Sequence, residues 1–142
     1  PYTPLTIQGV KTMGRYYNGD IEGKFAFAVQ ASNDADHFGV IGTEPSVLEY
    51  YFDETNLGTI NEAIKVCENQ LGEYKDKLNY FFKAVNGFNE DIVKDWFKKT
   101  YNEDMPYDKF NANYAILARL ELGIKIRDCV QKNGECQFTA EC

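Results

Sequence analysis

An Asn-Gly pair inside an alternating stretch constrains this chain more than any other feature. Residues Gly14-Arg15-Tyr16-Tyr17-Asn18-Gly19-Asp20-Ile21-Glu22-Gly23-Lys24-Phe25-Ala26-Phe27-Ala28-Val29-Gln30 read as a β-hairpin. Both central residues of a two-residue type I′ turn need positive φ, which Asn-Gly supplies at least cost. A turn there sets Tyr17 opposite Asp20, Tyr16 opposite Ile21 and Arg15 opposite Glu22. With a period of two, Ile21, Gly23, Phe25, Phe27 and Val29 share an apolar face with Tyr16. The wet face then carries Arg15, Tyr17, Asp20, Glu22 and Lys24, with Arg15 and Glu22 as a cross-strand ion pair. A turn at Glu22-Gly23 is the rival register, but it separates that pair.

Downstream, Val47-Leu48-Glu49-Tyr50-Tyr51-Phe52-Asp53 alternates and predicts a third strand with Leu48, Tyr50 and Phe52 inward. Thr59-Ile60-Asn61-Glu62 has the form of a capping box. From it Ile60, Ile64, Cys67, Leu71, Tyr74, Leu78, Phe81 and Val85 recur at helical spacing, a seam suited to a coiled coil or to the chain's own core, and the core is favoured. Gly72 can bend this rod, and Asn86-Gly87 stops it. Asn89 caps a shorter helix carrying Ile92, Val93, Trp96 and Phe97. Pro106 opens a third helix that runs toward Gln131, with Gly123 as a point of division. Cys136 to Cys142 alternates as a last strand. Before these, Ala31 to Gly39 predicts a short helical turn capped by Ser32, and residues 1–9 predict an extended arm.

The expected fold is therefore α+β: a single domain over residues 1–142. A small antiparallel sheet, made of the hairpin, a third strand and a C-terminal strand, packs against two long helices and one short helix. Among 142 residues, ten Phe, ten Tyr and one Trp are too many for a disordered chain. The net charge of −7 argues against binding to a nucleic-acid backbone, which needs clustered Lys and Arg. It suits a soluble acidic protein or one that docks on a basic partner. No apolar run reaches the ~20 residues of a membrane span, and Pro1-Tyr2-Thr3-Pro4 shows no signal-peptide pattern, so an intracellular, cytoplasmic setting is expected.

Catalytic chemistry finds little to work with. His37 is the single histidine, and the four cysteines fit no zinc spacing. Asp34, Asp36 and His37 form the densest cluster of candidate metal ligands, yet the segment lacks the spaced donors of a calcium loop. A small metal-dependent hydrolase would have to bring this cluster together with Asp20 and Glu22. There is no Walker A, Rossmann or G-x-S-x-G motif, and no cofactor is expected. Cys129 and Cys136 flank a tight reversal that can bring them within disulfide reach in an oxidising setting, with reduced thiols as the default. Tyr16-Tyr17 and Tyr50-Tyr51 are adjacent pairs in which one ring must leave the core, and exposed tyrosine is enriched at interfaces. Arg15, Tyr17, Asp20, Glu22, Lys24 and Tyr51 are accordingly the binding candidates, and the partner is a protein or a second copy of the chain. An acidic mimic of nucleic acid is a further alternative, weakened by the mixed charges of Glu73-Tyr74-Lys75-Asp76-Lys77.

The stretch Gly14 to Phe25 followed by Ala28-Val29-Gln30, together with Lys125-Ile126-Arg127-Asp128-Cys129 and Asn133-Gly134-Glu135-Cys136, resembles small proteins encoded by large DNA viruses and marine metagenomic contigs. That resemblance implies a viral or aquatic-microbial origin, with host cytoplasm or virion as the setting. It implies no activity.

Overall fold

The computed structural model describes residues 15–42 and 47–141. The predicted N-terminal arm, residues 10–14 of the first strand and part of the 40–45 loop lie outside them. Four strands, β1 (Tyr16–Gly19), β2 (Gly23–Lys24), β3 (Val47–Asp53) and β4 (Glu135–Glu141), form an antiparallel sheet in the order β2-β1-β4-β3. Four helices cover it: α1 (Leu57–Leu71), α2 (Tyr74–Ala84), α3 (Glu90–Tyr101) and α4 (Tyr107–Asn133). The α+β architecture is as expected, and among the described residues no helix is long and apolar enough to cross a membrane.

The hairpin forms in a different register. Tyr16 pairs with Lys24 and Tyr17 with Gly23, so Asn18 and Gly19 are not the turn. They continue β1 alongside β4, opposite Thr139 and Phe138. Asp20 extends that edge, its N–H donating to Gln137 O at 2.8 Å and its carboxylate accepting from Gln137 N at 2.9 Å. A ladder with a distant strand thus overrides the local turn preference. The glycine at position 19 serves close approach instead: a Cβ there would stand 2.5 Å from Gln137 O.

This shift by an odd number of residues reverses the two tyrosines. Tyr17, expected on the wet face, is buried and packs edge-on against Phe25 at 5.1 Å, whereas Tyr16 lies half-buried on the outer side. The Arg15–Glu22 pair does not form. The Arg15 guanidinium donates to Ser32 Oγ and Gln30 O, which also occupies Ser32 in place of its predicted capping role. The second arm leaves the sheet after Lys24. Val29 and Gln30 N–H groups both return to Ala26 O, and Ala28 takes a left-handed φ of 67°. Phe27, predicted inward by alternation, is consequently 54% exposed.

β3 occupies the predicted residues, and β4 begins at Glu135, one residue early. Leu48, Tyr50 and Phe52 face the helices with Cys136, Phe138 and Ala140, and the Tyr50 and Phe138 rings stack at 5.2 Å. The capping box sits earlier than predicted: Asp53 accepts from Thr55 N while Asn56 accepts from Asp53 N, so α1 starts at Leu57. Gly72, with φ of 53°, divides the rod into α1 and α2. The seam residues Ile60, Ile64, Cys67, Leu71, Leu78 and Phe81 are buried within this chain, as the core reading requires. Asn89 caps α3 by accepting from Ile92 N.

α4 runs unbroken past Gly123 and is the hub of the molecule. Phe110, Leu117, Leu120, Leu122, Ile126 and Val130 bury several of its faces against the sheet, the other helices and the 3-10 turn Asp34–Phe38. At its N-terminal end an aromatic cluster joins it to α2 and α3, with Phe81 in contact with Trp96 at 5.1 Å and with Phe110 at 5.3 Å. Nearby, Glu103 accepts from Tyr74 Oη and, at 3.0 Å, from Lys77 Nζ, tying α2 to the loop before α4.

Candidate interaction surface and clefts

The expected ligand cluster is divided between two structural tasks. Asp34 is 2% exposed; its carboxylate accepts from Arg119 Nε at 2.8 Å and from Gln30 Nε2 at 2.9 Å. A buried carboxylate needs such partners, and here they fasten the 3-10 turn to α4 and to the 26–30 turn. Asp36 faces elsewhere, accepting from Gly42 N at 3.0 Å and from Tyr50 Oη at 2.5 Å. His37 is exposed, with Nδ1 2.9 Å from the Asp34 carbonyl. Among the described residues no group of three or more His, Cys, Asp or Glu could hold a metal ion. The Asp20 carboxylate accepts from Gln137 N on β4, and the Glu22 backbone carbonyl accepts from Lys125 Nζ on α4.

His37 and Arg119 do share a groove of about 500 Å³ with Thr59, Glu62 and Cys67. Burial pushes the Cys67 thiol above its ordinary pKa, against the opposing effect of Arg119. That is the reverse of an activated nucleophile. Cys129 and Cys136 are buried free thiols, and burial together with the neighbouring Cys129 pushes the Cys136 thiol strongly up.

A second cleft, of about 320 Å³, lies between the 24–30 segment and α4. Its α4 wall is Tyr114, Ala118, Glu121 and Lys125, and its opposite wall includes Lys24, Phe25, Phe27 and the buried Gln30. Lys125 Nζ donates to Tyr17 Oη at 2.8 Å and to Glu22 O at 3.1 Å, and lies 5.1 Å from the Tyr17 ring centre. Burial holds the Glu121 carboxyl above its ordinary range, with Lys125 opposing, and burial likewise raises the Tyr114 hydroxyl. Of the predicted binding residues, Tyr17 and Lys24 line this cleft; Arg15 supports it from behind, 5.4 Å over the Phe25 ring. Sequence reasoning missed Tyr114, Glu121 and Lys125. Their spacing with Ala118 marks one stripe of α4, but its facing wall depends on a turn that alternation disguised as strand.

The outer face of the sheet is the third feature, and it holds Tyr51 and Asp20. Register places Val47 beside Glu141, Glu49 beside Thr139, Tyr51 beside Gln137 and Asp53 beside Glu135. Neither β3 nor β4 contains a Lys, Arg or His, so the Glu49, Asp53 and Glu135 carboxylates meet no cation from either strand. Asp53 and Glu135 stand directly opposite as like charges, an arrangement that weakens a ladder. Tyr51 is 48% exposed, and the carboxylate of Glu135, followed by burial and Asp53, raises its hydroxyl pKa. Among the described residues β3 pairs with β4 alone.

Comparison with protein families, with curated proteins and with solved structures finds no match, so these features are read from their own geometry.

Proposed function

We propose that this chain is a non-enzymatic interaction module whose outer sheet face receives an extended basic segment of a partner protein. The single observation behind this is the acidic face of β3 and β4, where Asp53 opposes Glu135 with no cation on either strand. A cationic segment laid across β3 and β4 would neutralise like charges that these two strands hold together. Tyr51 supplies exposed aromatic area in the middle of that face. A second copy is the poorer occupant, since pairing β3 with itself brings acids against acids. If the viral resemblance holds, the partner is a host or virion protein met inside the cell.

The test uses a labelled peptide of β3's length alternating Lys with Val, followed by fluorescence anisotropy and amide NMR. Binding should weaken steeply with added NaCl, perturb the amides of residues 47–53 and 135–141, and fall several-fold in a Glu49→Lys/Glu135→Lys variant. Salt-independent binding, or perturbations remote from β3 and β4, would refute the assignment.

A further inference from the structure

We infer that the cleft between the 24–30 segment and α4 is a binding site for a small monocarboxylate with an apolar body. This is independent of the β3–β4 face, none of whose residues lines the cleft. The cleft volume of about 320 Å³ falls at the small end of ligand pockets. Its walls divide by chemistry: Phe25, Ala26, Phe27 and Ala118 form an apolar surface, and Lys24 and Lys125 bring two ammonium groups against the one carboxylate of Glu121. The balance is a single net positive charge, matched to a monoanion rather than to a phosphate dianion.

The two lysines are prepared differently. Lys125 is fixed by Tyr17 Oη and the Glu22 carbonyl, which use two of its three donors and leave one for a ligand. The Lys24 ammonium has no hydrogen bond or ion pair among the described residues, while its backbone pairs with Tyr16 in the sheet ladder. Phe27 is 54% exposed at the rim because Ala28 adopts a left-handed φ of 67°; the backbone strain there holds an aromatic ring over the cleft instead of in the core. Charged and titratable groups facing Glu121 come from both walls: Lys125 and Tyr114 on α4, Lys24 and Tyr17 on the strands. An incoming carboxylate competes with Glu121 for the lysines, so protonation of Glu121 favours binding. Burial already favours the protonated form of Glu121, with Lys125 opposing, so that gain arrives on acidification.

Phenylpropionate is a suitable probe, with phenylpropionamide as its neutral control, both titrated into the full chain and followed by amide NMR. The acid should bind and perturb Lys24, Phe27, Ala118 and Lys125, tightening as pH is lowered toward the Glu121 titration; the amide should bind at least tenfold more weakly. Lys24→Gln should weaken the acid about tenfold, the loss of one charge-assisted contact. Glu121→Gln should tighten it several-fold at neutral pH and flatten its pH dependence. Circular dichroism verifies that the variants fold. Equal binding of acid and amide, an unaltered affinity in Lys24→Gln, or a retained pH dependence in Glu121→Gln would each overturn the assignment, as would the absence of any shift in the cleft.

Discussion

Gly123→Ala should destabilise the protein, although it replaces the second-worst helix former by the best in the middle of a 27-residue helix. An ideal Cβ on residue 123 would stand 2.3 Å from Phe38 Cε1 and 2.5 Å from Cζ. Carbon atoms in contact need about 3.5–4.0 Å, so the ring would have to retreat by more than about 1 Å. Phe38 is fully buried and carried on a short turn that Asp34 ties to Arg119, so nothing near it is the loose end of a flexible chain. Overpacking of this kind costs ~1–3 kcal/mol, and the helix-propensity gain returns about 1 kcal/mol. A retreat of more than about 1 Å by a fully buried ring belongs in the upper part of that range, ~2–3 kcal/mol, so a net loss of about 1–2 kcal/mol follows, equivalent to a fall in Tm of about 3–8 °C for a domain of this size. Gly58→Ala is the internal reference: nothing lies within 4 Å of its Cβ position in α1, so it should gain from a few tenths to about 1 kcal/mol. Equilibrium urea unfolding by circular dichroism measures both. Combining Gly123→Ala with Phe38→Leu should cost less than the two single losses together, by at least ~0.5 kcal/mol, since the smaller side chain vacates the contested space. A neutral or stabilising Gly123→Ala, or strict additivity with Phe38→Leu, would refute the steric argument.

Asp34→Ala should cost about 2–4 kcal/mol in the same assay, because it leaves Arg119 and Gln30 without their shared acceptor at a buried position; Asp34→Ala/Arg119→Met should recover part of that loss, and equal stability of Asp34→Ala and wild type would refute the anchoring role. Burial favours the protonated form of Glu103, yet hydrogen bonds from Tyr74 and Lys77, with the charges of Lys77 and Lys109, outweigh it and hold its pKa below the ordinary value. A depressed carboxyl contributes stability present above its unfolded pKa and lost as pH falls through the folded one; Glu103→Gln should therefore lower the urea midpoint at neutral pH and flatten its decline below about pH 4.5. Parallel acid limbs for variant and wild type would count against that assignment.

Elements whose signals are local were legible in the sequence. β3 and the Asn89 cap read correctly because alternation and side-chain capping act over a few residues. The seam from Ile60 to Phe81 was also readable, since each of its positions lies on one helical face. Misreadings arose where a distant partner decided the outcome. Asn18-Gly19 looked like a turn, but β4 claimed those residues for its ladder. Gly123 looked like a break, but Phe38 lies where its side chain would be, and nothing in the neighbouring sequence records that contact. Asp34, Asp36 and His37 looked like one cluster because they are close in sequence, whereas Arg119 and Tyr50 draw the two carboxylates to different partners. The cleft was the least legible of all, since Ala26 to Gln30 alternates like a strand and folds as a turn.

β4 lies in the middle of the sheet, yet it follows every other described element along the chain. Among the described residues β1 and β3 pair neither with each other nor with any other long strand until it arrives. A nascent chain can therefore assemble its helices while Leu48, Tyr50 and Phe52 still lack the surface that will shield them, and the sheet closes only when translation delivers its keystone. Such an arrangement makes the central strand a checkpoint on folding: a chain halted before Glu135 keeps a helical bundle's worth of apolar side chains and, among the described residues, has no strand to join β1 to β3.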